Sequence, residues 1–259
     1  MSATFDFSGK RVLVTGASRG IGYAVAEAFA RAGAKTAILA EDDAVRNAAA
    51  TLSAQAGAPV AALMCDVTDP LALGRALAGI GRLDVLVNNA GLERPTPLDA
   101  PDPAIDATFA RVMAVNVAGT NAVTRALVSR INDGGRIILT SSIWGKVAAA
   151  DFSAYVASKH ALIGLTRVWA RDLGRRAITV NAVCPGWVRT DASMRSLASM
   201  AAKAGRDADD LLEEITAAQA IGGLMAPAEI VGLYLFLASS AAANITGQAI
   251  NIDRGEVMA

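Results

Sequence analysis

Thr15-Gly16-Ala17-Ser18-Arg19-Gly20-Ile21-Gly22 is the stretch whose reading decides the fold. Just before it, Arg11–Thr15 is a short, largely apolar run of strand character. Just after it, Ile21, Val25, Ala28 and Phe29 recur at helical spacing until Gly33 stops the helix. A pyrophosphate bound at a helix N-terminus needs backbone N–H groups aimed at it and no Cβ in the way. In this turn Gly16 can make the tight bend, Gly20 allows close approach, and Gly22 lets helix and strand pack closely. Glycines alone would fit any strand-to-helix turn, so the weight rests on what surrounds them.

Outward from the turn the pattern alternates. Strands are expected at 36–40, 59–65, 84–87, 136–140, 178–183 and 248–252. Helices are expected at 43–55, from Asp69-Pro70 onward, at 104–129, at 153–173 and from Pro227 to 238. A loop carrying Pro95, Pro97, Pro101 and Pro103 precedes the first long helix, and Gly134-Gly135 reads as the turn into the strand at 136–140. Strands alternating with helices imply a doubly wound α/β fold, a parallel sheet covered on both faces in three layers. No repeat or linker divides the chain, so 1–259 reads as one domain. The polar, Met-rich segment at about 190–222 has too little apolar periodicity for a domain of its own and suits a mobile cap over a site.

Composition excludes several classes. Charges balance at 24 of each sign, which gives no electrostatic grip on nucleic acid or an anionic membrane. One histidine, His160, leaves no His-based metal site, and Cys65 and Cys184 read as separate buried thiols. The N-terminal stretch Met1 to Lys10 lacks the pattern of a signal peptide, and the apolar run at 230–243 is shorter than the ~20 residues a bilayer span needs. A cytoplasmic protein is expected.

The spacing TGxxxGxG resembles that of the short-chain dehydrogenase/reductase family, and the likeness extends over nearly the whole chain. Asp66-Val67 sits where the family contacts the adenine ring, and Asn88-Asn89-Ala90-Gly91 matches the element that supports the sheet and borders the adenosine ribose. Asn116 falls at a family asparagine in the long helix. Pro185-Gly186, followed by Val188 and Thr190, matches the segment that holds the nicotinamide carboxamide. The resemblance implies a nicotinamide cofactor held by Gly16, Ser18, Arg19, Gly20, Ile21, Gly22, Glu41, Asp66, Val67, Asn88, Ala90, Gly91, Tyr155, Lys159, Pro185, Gly186, Val188 and Thr190. It also implies a homotetramer.

Cofactor choice turns on the end of the second strand, Leu39-Ala40-Glu41-Asp42. The family's NAD-selective Asp would align with Ala40, and the Arg common in NADP users with Glu41. An acid there repels a 2′-phosphate, whereas Arg19 would attract one. NAD is expected, with NADP left open.

Tyr155 and Lys159 are an i, i+4 pair near a helix start, and Ser142 lies at a strand end upstream. A phenol with pKa about 10 is a weak base at neutral pH, and a neighbouring ammonium stabilises its ionised form. The family resemblance makes Tyr155 the proton-transfer group, Ser142 the partner of the substrate oxygen, and Lys159 the group that lowers the Tyr155 pKa and holds the nicotinamide ribose. Asn116 would anchor a water leading from Lys159 to solvent. Strand alternation turns only one of Ser141 and Ser142 into the cleft, and the family spacing selects Ser142.

From Tyr155 to Ile252 the chain most resembles 3-hydroxybutyrate dehydrogenases and polyketide ketoreductases. Where the former grip a carboxylate, this chain has Glu93, Trp144, Phe152 and Ser196, a poor receptor for an anion. Glu93, Trp144, Phe152, Trp187 and Met194 are expected to line a pocket for a bulky apolar or aromatic-bearing alcohol or ketone. A cation beside Glu93 and Trp144 is a further possibility, provided Arg94 does not neutralise the acid. The rival within oxidoreductases is an NADPH-dependent reductase of carrier-bound carbonyls, with Arg94, Arg189 and Arg195 as the basic contacts. Outside that class, a non-catalytic dinucleotide-binding regulator is disfavoured by the intact Ser142, Tyr155 and Lys159, and a lyase or epimerase by the lack of an extra substrate domain.

Overall fold

A computed structural model describes residues 5–99 and 102–258. Residues 1–4 of the N-terminal stretch, and Pro101 of the proline loop, lie outside the described residues. The chain opens with β1 (Arg11–Thr15), α1 (Gly20–Arg31), β2 (Lys35–Ala40), α2 (Ala44–Ala56), β3 (Ala61–Met64), α3 (Pro70–Leu77) and β4 (Leu83–Asn88). It continues with α4 (Ala104–Met113), α5 (Thr120–Leu127), β5 (Ile131–Thr140), α6 (Ser153–Leu173) and β6 (Thr179–Pro185). Helices α7 (Asp191–Ala204), α8 (Ala208–Ala217) and α9 (Pro227–Ala238) precede β7 (Ala249–Ile252).

Local chemistry sets these boundaries. Asp69 caps α3, its carboxylate accepting from Leu71 N and Ala72 N, with Pro70 just inside where a missing N–H costs nothing. Glu229 does the same work for α9 by accepting from Ala226 N at 2.6 Å. The seven strands pair in parallel in the order β3-β2-β1-β4-β5-β6-β7. Side chains alternate across β1. Val12 and Val14 pack with Val25, Phe29 and Tyr234 on one face, and Leu13 packs with Leu86, Leu127 and Leu162 on the other. The strand order reverses direction at β1 and β4, so a crevice opens beyond their carboxyl ends.

Two local features differ from expectation, and the partly helical segment at 190–222 takes definite form. Strand β5 starts at Ile131, and Gly134-Gly135 is an irregularity within it, where the register against β4 shifts between Leu83 and Val85. The long helix is interrupted by a wide turn, a π-helical segment at Ala114–Gly119 that contains Asn116. The segment at 190–222 is two helices, α7 and α8, with Leu197 and Ala201 of α7 buried. Among the described residues no helix is long and apolar enough to cross a membrane. Cys65 and Cys184 are both buried and unpaired.

Candidate active site

The glycine turn is shaped by contacts that a side chain would block. Gly16 has φ +63°, and a Cβ there would lie 2.6 Å from the Ala90 Cα. A Cβ on Gly22 would overlap both the Gly16 carbonyl oxygen and the Asn89 side-chain amide. Asn89 fixes the turn by donating from Nδ2 to Gly16 O at 3.0 Å, while Thr15 Oγ1 accepts from Asn89 N and Ala90 N. The N-terminus of α1 carries no side-chain cap and no acid in its first turn. Its first N–H groups therefore remain available to an anion, and the cradle fits a dinucleotide pyrophosphate. Ser18 and the half-buried Ile21 flank this opening, and Thr190 packs on Gly20, its Cγ2 lying 3.4 Å from where a Cβ would sit.

On the side expected for adenosine, ion pairs occupy the charged groups. Arg19 pairs with Asp42, whose other carboxylate oxygen is buried without a partner. Arg111 of α4 bridges Asp66 at 2.8 Å and Glu41 at 3.4 Å, and also donates to Thr68 Oγ1. Burial works against the Asp66 charge, but Thr68 and Arg111 outweigh it and hold the carboxyl below its ordinary range. Val67 faces the protein and packs on Gly119. Asn88 is buried and donates to Thr124 Oγ1, tying the end of β4 to α5. Arg111 is the part of this region that nothing in the local sequence pattern marks.

The reacting groups converge at the carboxyl end of β5. Ser142, Trp144 and Tyr155 line one cavity with Glu93, Gly186 and Trp187. The hydroxyls of Ser142 and Tyr155 share this cavity, and Ser142 favours the ionised phenol. Ser141 points elsewhere, donating to the Lys159 carbonyl at 2.9 Å. The Lys159 ammonium lies 5.3 Å from the centre of the Tyr155 ring and donates to the Thr140 carbonyl at 2.8 Å. Burial depresses Lys159 from 10.5 to about 8. Burial also raises the Tyr155 phenol well above 10, with the Glu93 charge adding to the rise and Ser142 opposing it. Lys159 is itself desolvated and turned toward Thr140, and burial outweighs any lowering of Tyr155 that it supplies.

Asn116 is held by its side chain, which accepts from Leu92 N at 2.7 Å and donates to Leu92 O and to Ser158 Oγ. These bonds fasten the Gly91-Leu92 loop over Lys159 and leave one lone pair of the amide oxygen to accept from a water. Beyond the sheet, Val188 pairs its backbone with Met225, and Thr190 caps α7 by accepting from Ser193 N.

The proposed pocket residues divide. Glu93, Trp144 and Trp187 line the cavity, and Trp144 meets Trp187 and Tyr155 edge-on, each with ring centres 6.0 Å apart. Phe152 does not line it: at 1% exposure it is packed behind Trp144, ring centres 5.1 Å apart. Met194 does not line it either, because the turn of α7 presents Ser193 instead. Arg94 does not pair with the Glu93 carboxylate; it donates to the Glu93 backbone carbonyl. The cavity holds about 60 Å³.

Comparison with known proteins agrees with this architecture. The family model described as Enoyl-(Acyl carrier protein) reductase matches residues 16–256. The chain is 36% identical to the 3-oxoacyl-[acyl-carrier-protein] reductase FabG of Escherichia coli strain K12, across 98% of this chain and 99% of the relative. It is 34% identical to the D-beta-hydroxybutyrate dehydrogenase of Cupriavidus necator, across 96% and 98%. The crystal structure of L-sorbose reductase from Gluconobacter frateurii, complexed with NADPH and L-sorbose, superposes with a TM-score of 0.87 at 27% identity, covering 98% of each chain. With a family match over nearly its full length and the seven-stranded parallel sheet to go with it, the chain belongs to the short-chain dehydrogenase/reductase family.

Proposed function

We propose that this protein is an NAD(H)-dependent oxidoreductase that interconverts a secondary alcohol and a ketone, with an apolar or aromatic-bearing substrate flanked by Trp144 and Trp187. The observation that carries the proposal is that Ser142 and Tyr155 line one cavity, with Lys159 directly behind the tyrosine ring. A bound nicotinamide would supply the site that accepts or gives the hydride, and its oxidised ring would bring positive charge to the cleft. Gly16, Gly20 and Gly22 would hold its pyrophosphate, Pro185, Gly186, Val188 and Thr190 its nicotinamide end, and Asn88, Ala90 and Gly91 the space between. Tyr155 gives a proton to the substrate oxygen in reduction and takes it in oxidation. Ser142 donates to that same oxygen and stabilises its developing charge. Lys159 favours the ionised phenol when it is itself protonated, and Asn116 keeps the loop over Lys159 in place. Trp144 and Trp187 exclude water from the reacting atoms.

NAD is favoured over NADP because Asp42 already occupies Arg19 and Glu41 adds negative charge at the same edge. Two unpaired cysteines suit a reducing cytoplasm, and the exposed apolar side chains of Phe109 and Val168 on α4 and α6 suit pairing into a homotetramer. A second function, NADPH-dependent reduction of carrier-bound carbonyls, draws support from the likeness to the Escherichia coli reductase and from the exposed Arg94, Arg189 and Arg195. A panel of aromatic, aliphatic and carboxylated alcohols and ketones, each assayed with both cofactors, separates the two. Oxidation of uncharged alcohols with NAD supports the first. Reduction seen with NADPH alone, on thioester substrates, replaces it with the second.

A further inference from the structure

Among the described residues Glu93 is the one acid on the cavity wall that carries the reacting hydroxyls. Among the described residues it forms no ion pair. Ser196 of α7 is close enough to favour its charge, the Arg94 guanidinium is turned to the backbone carbonyl, and the Lys159 ammonium is engaged by Thr140. Lys159, Arg195 and Arg94 stabilise its charge only at a distance, and burial outweighs them, raising the carboxyl above its ordinary range. A partly buried carboxylate in that state gains from a cation placed against it. The neighbouring walls are aromatic faces and edges, which tolerate a cation and exclude water. A substrate carboxylate or phosphate would instead meet Glu93 as a like charge.

We infer that the cleft is built for a substrate whose alcohol or ketone stands close to a protonated amine, with Glu93 as the counter-ion and Trp144 and Trp187 as the apolar walls. It rests on the alcohol–ketone chemistry proposed above. The cavity is small, about 60 Å³, and Glu93 shares it with Ser142 and Tyr155, so amine and carbinol must be separated by few bonds. A vicinal amino alcohol meets that requirement. In oxidation the carbinol carbon loses its hydrogen as hydride to the oxidised nicotinamide, and the hydroxyl loses its proton to Tyr155 and then to solvent. The products are the amino ketone, the reduced nicotinamide and one proton, and the C–N bond is untouched.

The test compares 2-amino-1-phenylethanol with its uncharged analogue 1-phenylpropan-1-ol at neutral pH, where the amine is protonated. Binding to the full chain is followed by tryptophan fluorescence, in which Trp144 and Trp187 line the cavity and Trp169 gives a background, and turnover is followed with NAD. The ammonium compound is expected to bind at least about tenfold more tightly to the wild type, the range of one charge-assisted contact. Glu93→Gln should bring the ratio of the two affinities close to one, and Glu93→Asp should keep part of the preference. Equal or tighter binding of the uncharged alcohol by the wild type would overturn the inference, and so would a preference that survives Glu93→Gln. Selective, Glu93-dependent binding of the ammonium compound without oxidation of either alcohol upholds the cation site and sinks the alcohol–ketone chemistry. Oxidation of both alcohols without preference does the reverse.

Discussion

The Arg19 guanidinium at the head of α1 is ion-paired with the Asp42 carboxylate just beyond β2, and the free oxygen of that carboxylate is buried without a partner. The pair lies across the edge of the crevice where an adenosine ribose would rest. While it holds, a 2′-phosphate finds its cation already neutralised and faces Asp42 and Glu41 as well. Removing the acid changes the balance at that edge.

Asp42→Ala should therefore raise kcat/KM for NADP relative to NAD by roughly tenfold or more, the scale of one regained charge-assisted contact. Steady-state kinetics with the two cofactors gives the ratio. A ratio unmoved by the substitution would show that Arg19 does not reach the ribose.

Tyr155→Phe deletes one hydroxyl from the cavity that it shares with Ser142. The ring keeps its contact with Trp144, so the fold should be kept. Loss of the proton-transfer group should lower kcat by roughly 10²–10⁴. The measurement is kcat for the best alcohol found, with circular dichroism as the control for folding. Turnover within a few-fold of the wild type would move the acid–base role to another group.

Much of this site was legible because its chemistry sits at short, fixed spacings. The turn at 15–22, the helical pair Tyr155 and Lys159, and Ser142 at a strand end can each be read from neighbours in the chain. The parts that escaped depend on contacts between distant segments. Arg111 joins Asp66 and Glu41 from a different layer, and Ser196 reaches Glu93 across the cleft. Phe152 looked like a pocket wall because it is aromatic and lies near Trp144, but only packing decides which of two stacked rings faces the cavity. Gly134-Gly135 looked like a turn because glycine pairs often are, and instead absorbs a register shift inside β5.

Two glycines should respond in opposite directions to the same change. Gly22→Ala places a methyl against the Gly16 carbonyl and the Asn89 amide, both held by further hydrogen bonds. Overpacking of this kind costs about 1–3 kcal/mol, and the shift in the turn should also weaken NAD binding. Gly74, exposed within α3, has nothing within 4 Å of the position a methyl would take. Gly74→Ala should stabilise the protein by roughly 0.5–1 kcal/mol through helix propensity alone. Urea midpoints of the two variants against the wild type decide it, and destabilisation by both would mean that α3 is more tightly packed than its geometry indicates.

Lys159 makes a signed prediction about stability and pH. Its ammonium is depressed by burial from 10.5 to about 8, with the Glu93 and Cys184 charges opposing the change. Between those two values the unfolded chain still binds a proton that the folded protein has released. Raising the pH through that window removes the proton from the unfolded state and so favours the folded one. Below about 8 both states are protonated and the group contributes no slope. Tyr155 and Tyr234, both raised by burial, and Cys184, also raised, work the other way at high pH, since the folded protein keeps protons the unfolded chain has lost. Those opposing contributions persist in Lys159→Met, whereas the lysine's own contribution vanishes. The urea midpoint of the wild type, measured relative to Lys159→Met in the ligand-free state, should accordingly rise as the pH is taken upward from about 8. A difference that stays flat or falls would mean that Lys159 keeps its proton in the folded protein, held by Thr140 and Glu93 strongly enough to offset its burial.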